Sequence, residues 1–144
     1  MTSIQLVRRG ETIEECYEFM LAYAAQGLPS DQGSRAGGQV RDFLNRAVDA
    51  MKGLTDDFRE AISAEGLEPA AKYTAFLAVL ERDARDSLTA LELVLAQPSI
   101  SSQLIDNLNA SIHLRALLTD MFLLSEILRP LPLAEPQPVA EPRP

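Results

Sequence analysis

The chain has 144 residues, 47% hydrophobic and 24% charged, with a net charge of −8. That length suits one domain whose core needs no disulfide or metal staple, and the composition is that of a globular protein. The acidic balance removes the main electrostatic affinity for phosphate backbones and anionic bilayers. Lys52 and Lys72 are the only lysines and no basic cluster makes a local exception, so neither nucleic acid nor membrane is expected as a partner.

The single cysteine, Cys16, allows no intrachain disulfide and fits a reducing compartment. At the N-terminus the basic pair Arg8-Arg9 follows the apolar residues, the wrong order for a signal peptide. The apolar-rich run from Ala116 to Leu128 is interrupted by Thr119, Asp120, Ser125 and Glu126 and is too short to cross a bilayer. The cytoplasm is the expected location by elimination, and the arginine-over-lysine bias with abundant alanine suggests a GC-rich bacterial genome.

Residues 1–10 are ambiguous, since Ile4, Leu6 and Val7 fit a short strand or an extended arm closed by Gly10. A first helix is expected to open at Thr12, which forms a capping-box pattern with Glu15. Its inward residues are Ile13, Cys16, Tyr17, Met20 and Ala24, and Gly27 with Pro29 stops it. Residues 27–38 read as a flexible glycine-rich loop. A second helix follows, with Val40, Leu44, Ala47, Met51, Leu54, Phe58 and Ala61 spaced alternately by four and three. Gly53 lies inside it and marks a kink or a break into two helices.

The turn Glu65-Gly66-Leu67-Glu68-Pro69 ends that helix. A third helix carries Tyr73, Leu77, Leu80, Ala84, Leu88, Leu91 and Leu95 inward, with Glu81–Arg85 and Arg82–Asp86 as opposite-sign pairs outside, and ends by Pro98. A fourth is expected from a Ser99 cap to about Leu128. Its first half is one-sided, with Ile100, Leu104, Leu108 and Ile112 inward and Ser102, Asp106, Asn109, His113 and Asp120 as a polar stripe. In its second half, Leu117, Leu118, Met121, Phe122, Leu123, Leu124, Ile127 and Leu128 cover nearly the whole circumference. Residues 130–144 read PLPLAE-PQPVAE-PRP, a proline repeat that favours extended polyproline II and lacks PxxP spacing. The expectation is an all-α fold: an up-and-down bundle of about four helices over 1–129, with an extended proline-rich C-terminal tail at 130–144.

Several residue types invite chemistry. His113, the only histidine, projects from the polar stripe as a phosphoacceptor would. Around it, Ser111-Ile-His-Leu-Arg-Ala-Leu-Leu-Thr119 and Ser125-Glu-Ile-Leu128 resemble the dimerisation helix of histidine kinases, S-H-E-L-R-x-P-L-x, over about 18 residues. That resemblance would imply histidine phosphotransfer. With the Leu-Arg pair aligned, however, Ile112 takes the reactive position, His113 the acidic one and Leu117 that of the proline, so the bland reading is a solvated histidine.

Glu11, Glu14, Glu15 and Glu18 have carboxylates at metal-ligand spacing, yet no Glu-x-x-His motif accompanies them. They read as a charged first turn favoured by the helix dipole. Cys16 reads as a core thiol whose pKa is raised by burial and by neighbouring carboxylates. The segment GSRAGG at 33–38 precedes a helix but lacks a P-loop's Lys-Ser/Thr. No catalytic residue, metal or cofactor is therefore expected.

What is left is the surplus apolar surface of the last helix. It points to a non-enzymatic protein–protein interaction module (an adaptor, chaperone or regulator) that self-associates as a homodimer or binds another protein. The expected interaction face is Leu117, Met121, Phe122, Leu124 and Leu128, and Leu124→Glu is expected to dissociate the assembly without unfolding it. The alternatives are phosphotransfer through His113 and a metal- or ligand-binding bundle.

Overall fold

The structure, a computed structural model, describes residues 4–128; residues 1–3 and 129–144, including the proline repeat, lie outside the described residues. The described residues are 81% helical and contain no strand. They form α1 (Ile4–Ala24), α2 (Arg35–Met51), α3 (Leu54–Glu65), α4 (Ala70–Leu95), α5 (Ser102–Ala110) and α6 (His113–Leu128). The fold is all-α, with six helices where the periodicity suggested four.

Residues 4–10 are helical, correcting the expected strand or arm, so Thr12 lies inside α1 and caps nothing. Leu6 is buried and extends the stripe of Ile13, Cys16 and Met20 by two turns toward the N-terminus. Gly10 fits within this helix because α6 passes close by: a Cβ there would stand 3.4 Å from Met121 Cε. Arg9 anchors the same end. Its guanidinium pairs with Asp57 at 2.6 Å and donates to the carbonyls of Ala50 at 2.9 Å and Lys52 at 2.6 Å, the acceptors left open where α2 ends.

The helix expected over Val40–Ala61 is divided at Gly53, whose φ of +83° is in the left-handed region that glycine enters without steric cost. The division leaves the apolar seam intact. Val40, Leu44, Ala47, Met51, Leu54, Phe58 and Ala61 are all buried. The start of α2 reaches into the supposed loop, because the Ser34 hydroxyl caps it by accepting from the Gly37 N–H at 2.9 Å. Gly37 is buried against the Asp31 backbone, and a Cβ there would overlap the Asp31 carbonyl.

In α4 the inward face is Leu77, Leu80, Ala84, Ser87, Leu91 and Val94, with Tyr73, Leu88 and Leu95 half-buried beside it. Glu81 and Arg85 pair at 2.8 Å as their spacing predicts. Glu81 is held below the ordinary carboxylate range, first by a hydrogen bond from Thr55 of α3 and then by Arg85.

The last expected helix is also two. Ser101, not Ser99, caps α5 by accepting from the Leu104 N–H at 3.0 Å. After Ala110 the chain turns through Ile112, whose φ of +60° is a left-handed conformation that β-branched residues rarely enter. The turn rotates the pattern. Ile105 becomes the buried apolar residue of α5, Leu104 and Leu108 are half-buried, and Ile112 faces outward.

Two polar clusters fix the junction between α1, α4 and α5. The Tyr23 hydroxyl donates to the Ile100 carbonyl at 2.7 Å, and the Ser102 hydroxyl donates to the Tyr23 carbonyl at 2.6 Å while accepting from the Leu28 N–H at 2.8 Å. Burial, followed by the charge of Asp31, raises the pKa of Tyr23. Arg41 pairs with Asp31 at 2.9 Å and donates to the carbonyls of Leu95 and Gln97 at 2.9 and 2.7 Å, which closes the end of α4. The Ile100 N–H, foremost, keeps Asp31 below its ordinary pKa. From this junction α5 and α6 run back along α1, with the Asn109 amide donating to the Met20 carbonyl at 3.3 Å and Met121 reaching Gly10.

Candidate functional site

Helix α6 packs chiefly on α4, with further contacts to α1, α3 and α5. Those neighbours claim most of its apolar face. Leu114, Leu117, Leu118, Met121, Leu124 and Leu128 are all buried within the chain itself. Of the expected interaction face, Leu117, Met121, Leu124 and Leu128 are therefore core, and only Phe122, at 52% exposure, is open to a partner. The correction has a simple cause: with α6 enclosed by α4 on one side and α1 and α3 on others, a wide apolar arc is covered without a second chain. The expectation that Leu124→Glu spares the fold goes with it, since a carboxylate there would be desolvated and unpaired.

Apolar surface does remain. Leu123 is 53% exposed and Ile127 47% exposed, and a spacing of four residues puts them on one edge of α6. Phe122 lies on the opposite edge of the exposed arc. Ile4 and Val7 of α1, Leu21 and Leu93 are other large exposed apolar side chains among the described residues.

A second feature of α6 escaped the sequence reading. Asp120, counted above in the polar stripe, is turned inward and only 8% exposed. Its Oδ2 is buried with no hydrogen-bond partner. Burial, then Asp83's hydrogen bond and its charge, push Asp120 up to about 7. Ser87, one turn beyond Asp83 on the same face of α4, has its hydroxyl buried and also without a partner. The signal was present in the sequence: Asp120 interrupts Leu117-Leu118-Thr119 and Met121, where the helical period points inward. It was obscured by assuming one unbroken helix from Ser99, which set the wrong phase for the stripe.

The other candidates are spread apart. His113 is exposed at the first position of α6, far along the helix from Asp120. Glu11, Glu14, Glu15 and Glu18 are all exposed on α1. Among the described residues no group of three or more His, Cys, Asp or Glu side chains is placed to hold a metal ion. Cys16 is fully buried, and burial pushes its thiol up to about 12 against a smaller opposing effect of Arg46. The neighbouring charge that acts on it is thus positive, not the carboxylates expected from sequence. The segment 33–38 is largely the first turn of α2 and is spent on Ser34's cap. Among the described residues no helix is long and apolar enough to cross a membrane.

Comparison of the chain with known protein families, curated proteins and solved structures found no match.

Proposed function

We propose that this chain is a non-enzymatic protein–protein interaction module, an adaptor, chaperone or regulator, that self-associates through the exposed edge of α6. In this reading the six helices act as four rods of an up-and-down bundle, α2 continuing into α3 and α5 into α6. The observation that supports it is the exposure of Leu123 and Ile127 on one edge of α6, about half of each side chain being open to solvent, with Phe122 open on the other edge. Exposed apolar side chains such as Leu123 and Ile127, side by side on one edge of a helix, suit a contact site, and twofold pairing is the commonest closed assembly. The single cysteine fits a cytoplasmic setting, and nothing in the reading calls for a cofactor.

The test is solution mass by light scattering over roughly a tenfold concentration range, on wild type and on Leu123→Glu with Ile127→Glu. A dimer that becomes a monomer of unchanged helicity supports the reading. A wild-type monomer throughout overturns self-association. The exposure of His113 favours a second reading, phosphotransfer at its imidazole. Acid-labile phosphate lost in His113→Gln would support it, and an unlabelled protein under all donor kinases tried would count against it.

A further inference from the structure

The sequence that follows α6 carries a pattern with a period of three. A polyproline II helix has three residues per turn, so side chains spaced by three share a face. In the repeat PLPLAE-PQPVAE-PRP that spacing selects Pro130, Leu133, Pro136, Val139 and Pro142, an unbroken apolar face. Glu135 and Glu141 fall together on a second face, Gln137 and Arg143 on the third. Because six is a multiple of three, the repeat keeps its apolar face in register throughout. Segments of this kind dock in apolar grooves that hold an aromatic ring. Between the end of α3 and the start of α4 lies an open cleft of about 310 Å³ with that character. Ile62 and Leu77, both buried, line it together with half-buried Leu67 and Tyr73, and Arg59 and Ser63 are exposed at its rim.

The topology brings the tail to this cleft. Helix α6 runs antiparallel to α1, Asn109 meeting Met20 and Met121 reaching Gly10. Helix α2 is also antiparallel to α1, since Arg9 meets Ala50 while Phe19 stacks on Phe43. Antiparallel to α2 in turn is α4, with Arg41 at the Leu95 carbonyl and Met51 and Ala84 lining one cavity. Thr55 lies beside Glu81 and Ile62 beside Leu77, so α3 opposes α4 and points the same way as α6. Both pass the level of Arg9 and Gly10, α3 at Asp57 and α6 at Met121. Seven residues further, about 10 Å along its axis, α6 ends at Leu128, level with the last turns of α3 and with the cleft. At about 3.1 Å per residue, residues 130–142 span about 40 Å, enough to pass round a helix about 10 Å across and lie along the cleft.

We propose that the proline-rich tail folds back on its own chain and seats its apolar face in the cleft between α3 and α4, with Pro136 against Tyr73 and Leu133 and Val139 to either side. The prolines fix φ in advance, so little backbone freedom is lost on seating. The tether holds the tail at an effective concentration on the order of millimolar, so modest contacts suffice. This seat does not depend on self-association through α6: a monomeric protein would fail that reading and leave the docked tail intact.

Paramagnetic relaxation in the full chain tests the proposal. A nitroxide is attached through Gln137→Cys, off the apolar face, at neutral pH, where the enclosed Cys16 does not react. The amide signals of Ser63, Gly66 and Thr74 are expected to lose about half their intensity or more, as a mostly docked tether requires. Asp42, near the opposite end of the bundle, should be unaffected. Leu133→Asp with Val139→Asp puts charge on the apolar face and should restore the signals. Glu135→Gln with Glu141→Gln, on the neighbouring face, should not. Undiminished signals around the cleft, broadening confined to Leu123 and Ile127 on the edge of α6, or broadening that survives the two aspartates would overturn the proposal. So would broadening of isotope-labelled wild type by an unlabelled nitroxide chain, because another copy would then supply the tail.

Discussion

Replacing Leu124 with alanine removes three carbons from a side chain that is 2% exposed, whereas the same change at Leu123 alters one that is 53% exposed. At about 0.8 kcal/mol per buried methylene, the transfer loss at Leu124 is about 2.4 kcal/mol. The space left between α6, α4 and α1 adds a cavity contribution, which brings the expected cost to about 3–4 kcal/mol. At Leu123 about half the surface is already hydrated and no enclosed cavity forms, so about 1 kcal/mol is expected. For a chain of this length a change of 1 kcal/mol moves the midpoint by about 3 °C, so Leu124→Ala should lower Tm by about 10 °C and Leu123→Ala by about 3 °C. Denaturant titration followed by far-ultraviolet circular dichroism measures the pair, with light scattering on the same samples. Equal destabilisation at the two sites, or a Leu124→Ala protein of normal stability that has lost an oligomer, would refute the assignment of Leu124 to the core of the single chain.

Tyr23→Phe leaves the Ile100 carbonyl without its phenolic donor, and should cost about 1–2 kcal/mol in urea titration. Gly37→Ala places a methyl into the Asp31 carbonyl and should destabilise the start of α2, whereas Gly38→Ala, where a Cβ meets nothing, should be neutral or slightly stabilising; calorimetry of the two separates them. Ile112→Asn relieves a left-handed β-branched residue and should raise stability by about 0.5–1 kcal/mol in the same assay. Cys16, buried and with its thiol pushed up to about 12, should resist a thiol reagent at neutral pH until denaturant is added, and rapid labelling of the native protein would contradict its place in the core.

Much of the architecture was written in the spacing of apolar residues. Val40 through Ala61 predicted a continuous buried seam, and that seam is intact even across the left-handed turn at Gly53. Gly66 ends α3 where the turn was expected, and the Glu81–Arg85 pair follows from helical geometry. Such features depend on neighbours three or four residues apart, so the sequence contains both partners. What it did not contain was the identity of the surfaces that each helix would meet. Leu6 is helical because α1 has α2, α3 and α6 to pack on, which no local propensity in residues 4–10 discloses. The break at Ser111-Ile112 lies in a stretch, Asn107-Leu-Asn109-Ala-Ser111, whose polar residues favour backbone hydrogen bonds over helix; its location is fixed by the turn that lays α6 on α4.

The apolar run of α6 shows where the sequence stops. By itself the sequence determined that this helix buries a wide arc, because leucines on nearly every side must be removed from water. Whether a second chain or its own domain covers that arc depends on packing. Only the tertiary structure decided it, by setting α4, α1 and α3 around Leu117, Met121, Leu124 and Leu128 while leaving Leu123 and Ile127 uncovered. The same holds for Asp120, which its own helix cannot bury: its carboxyl leaves solvent only once α6 has been laid against its neighbours.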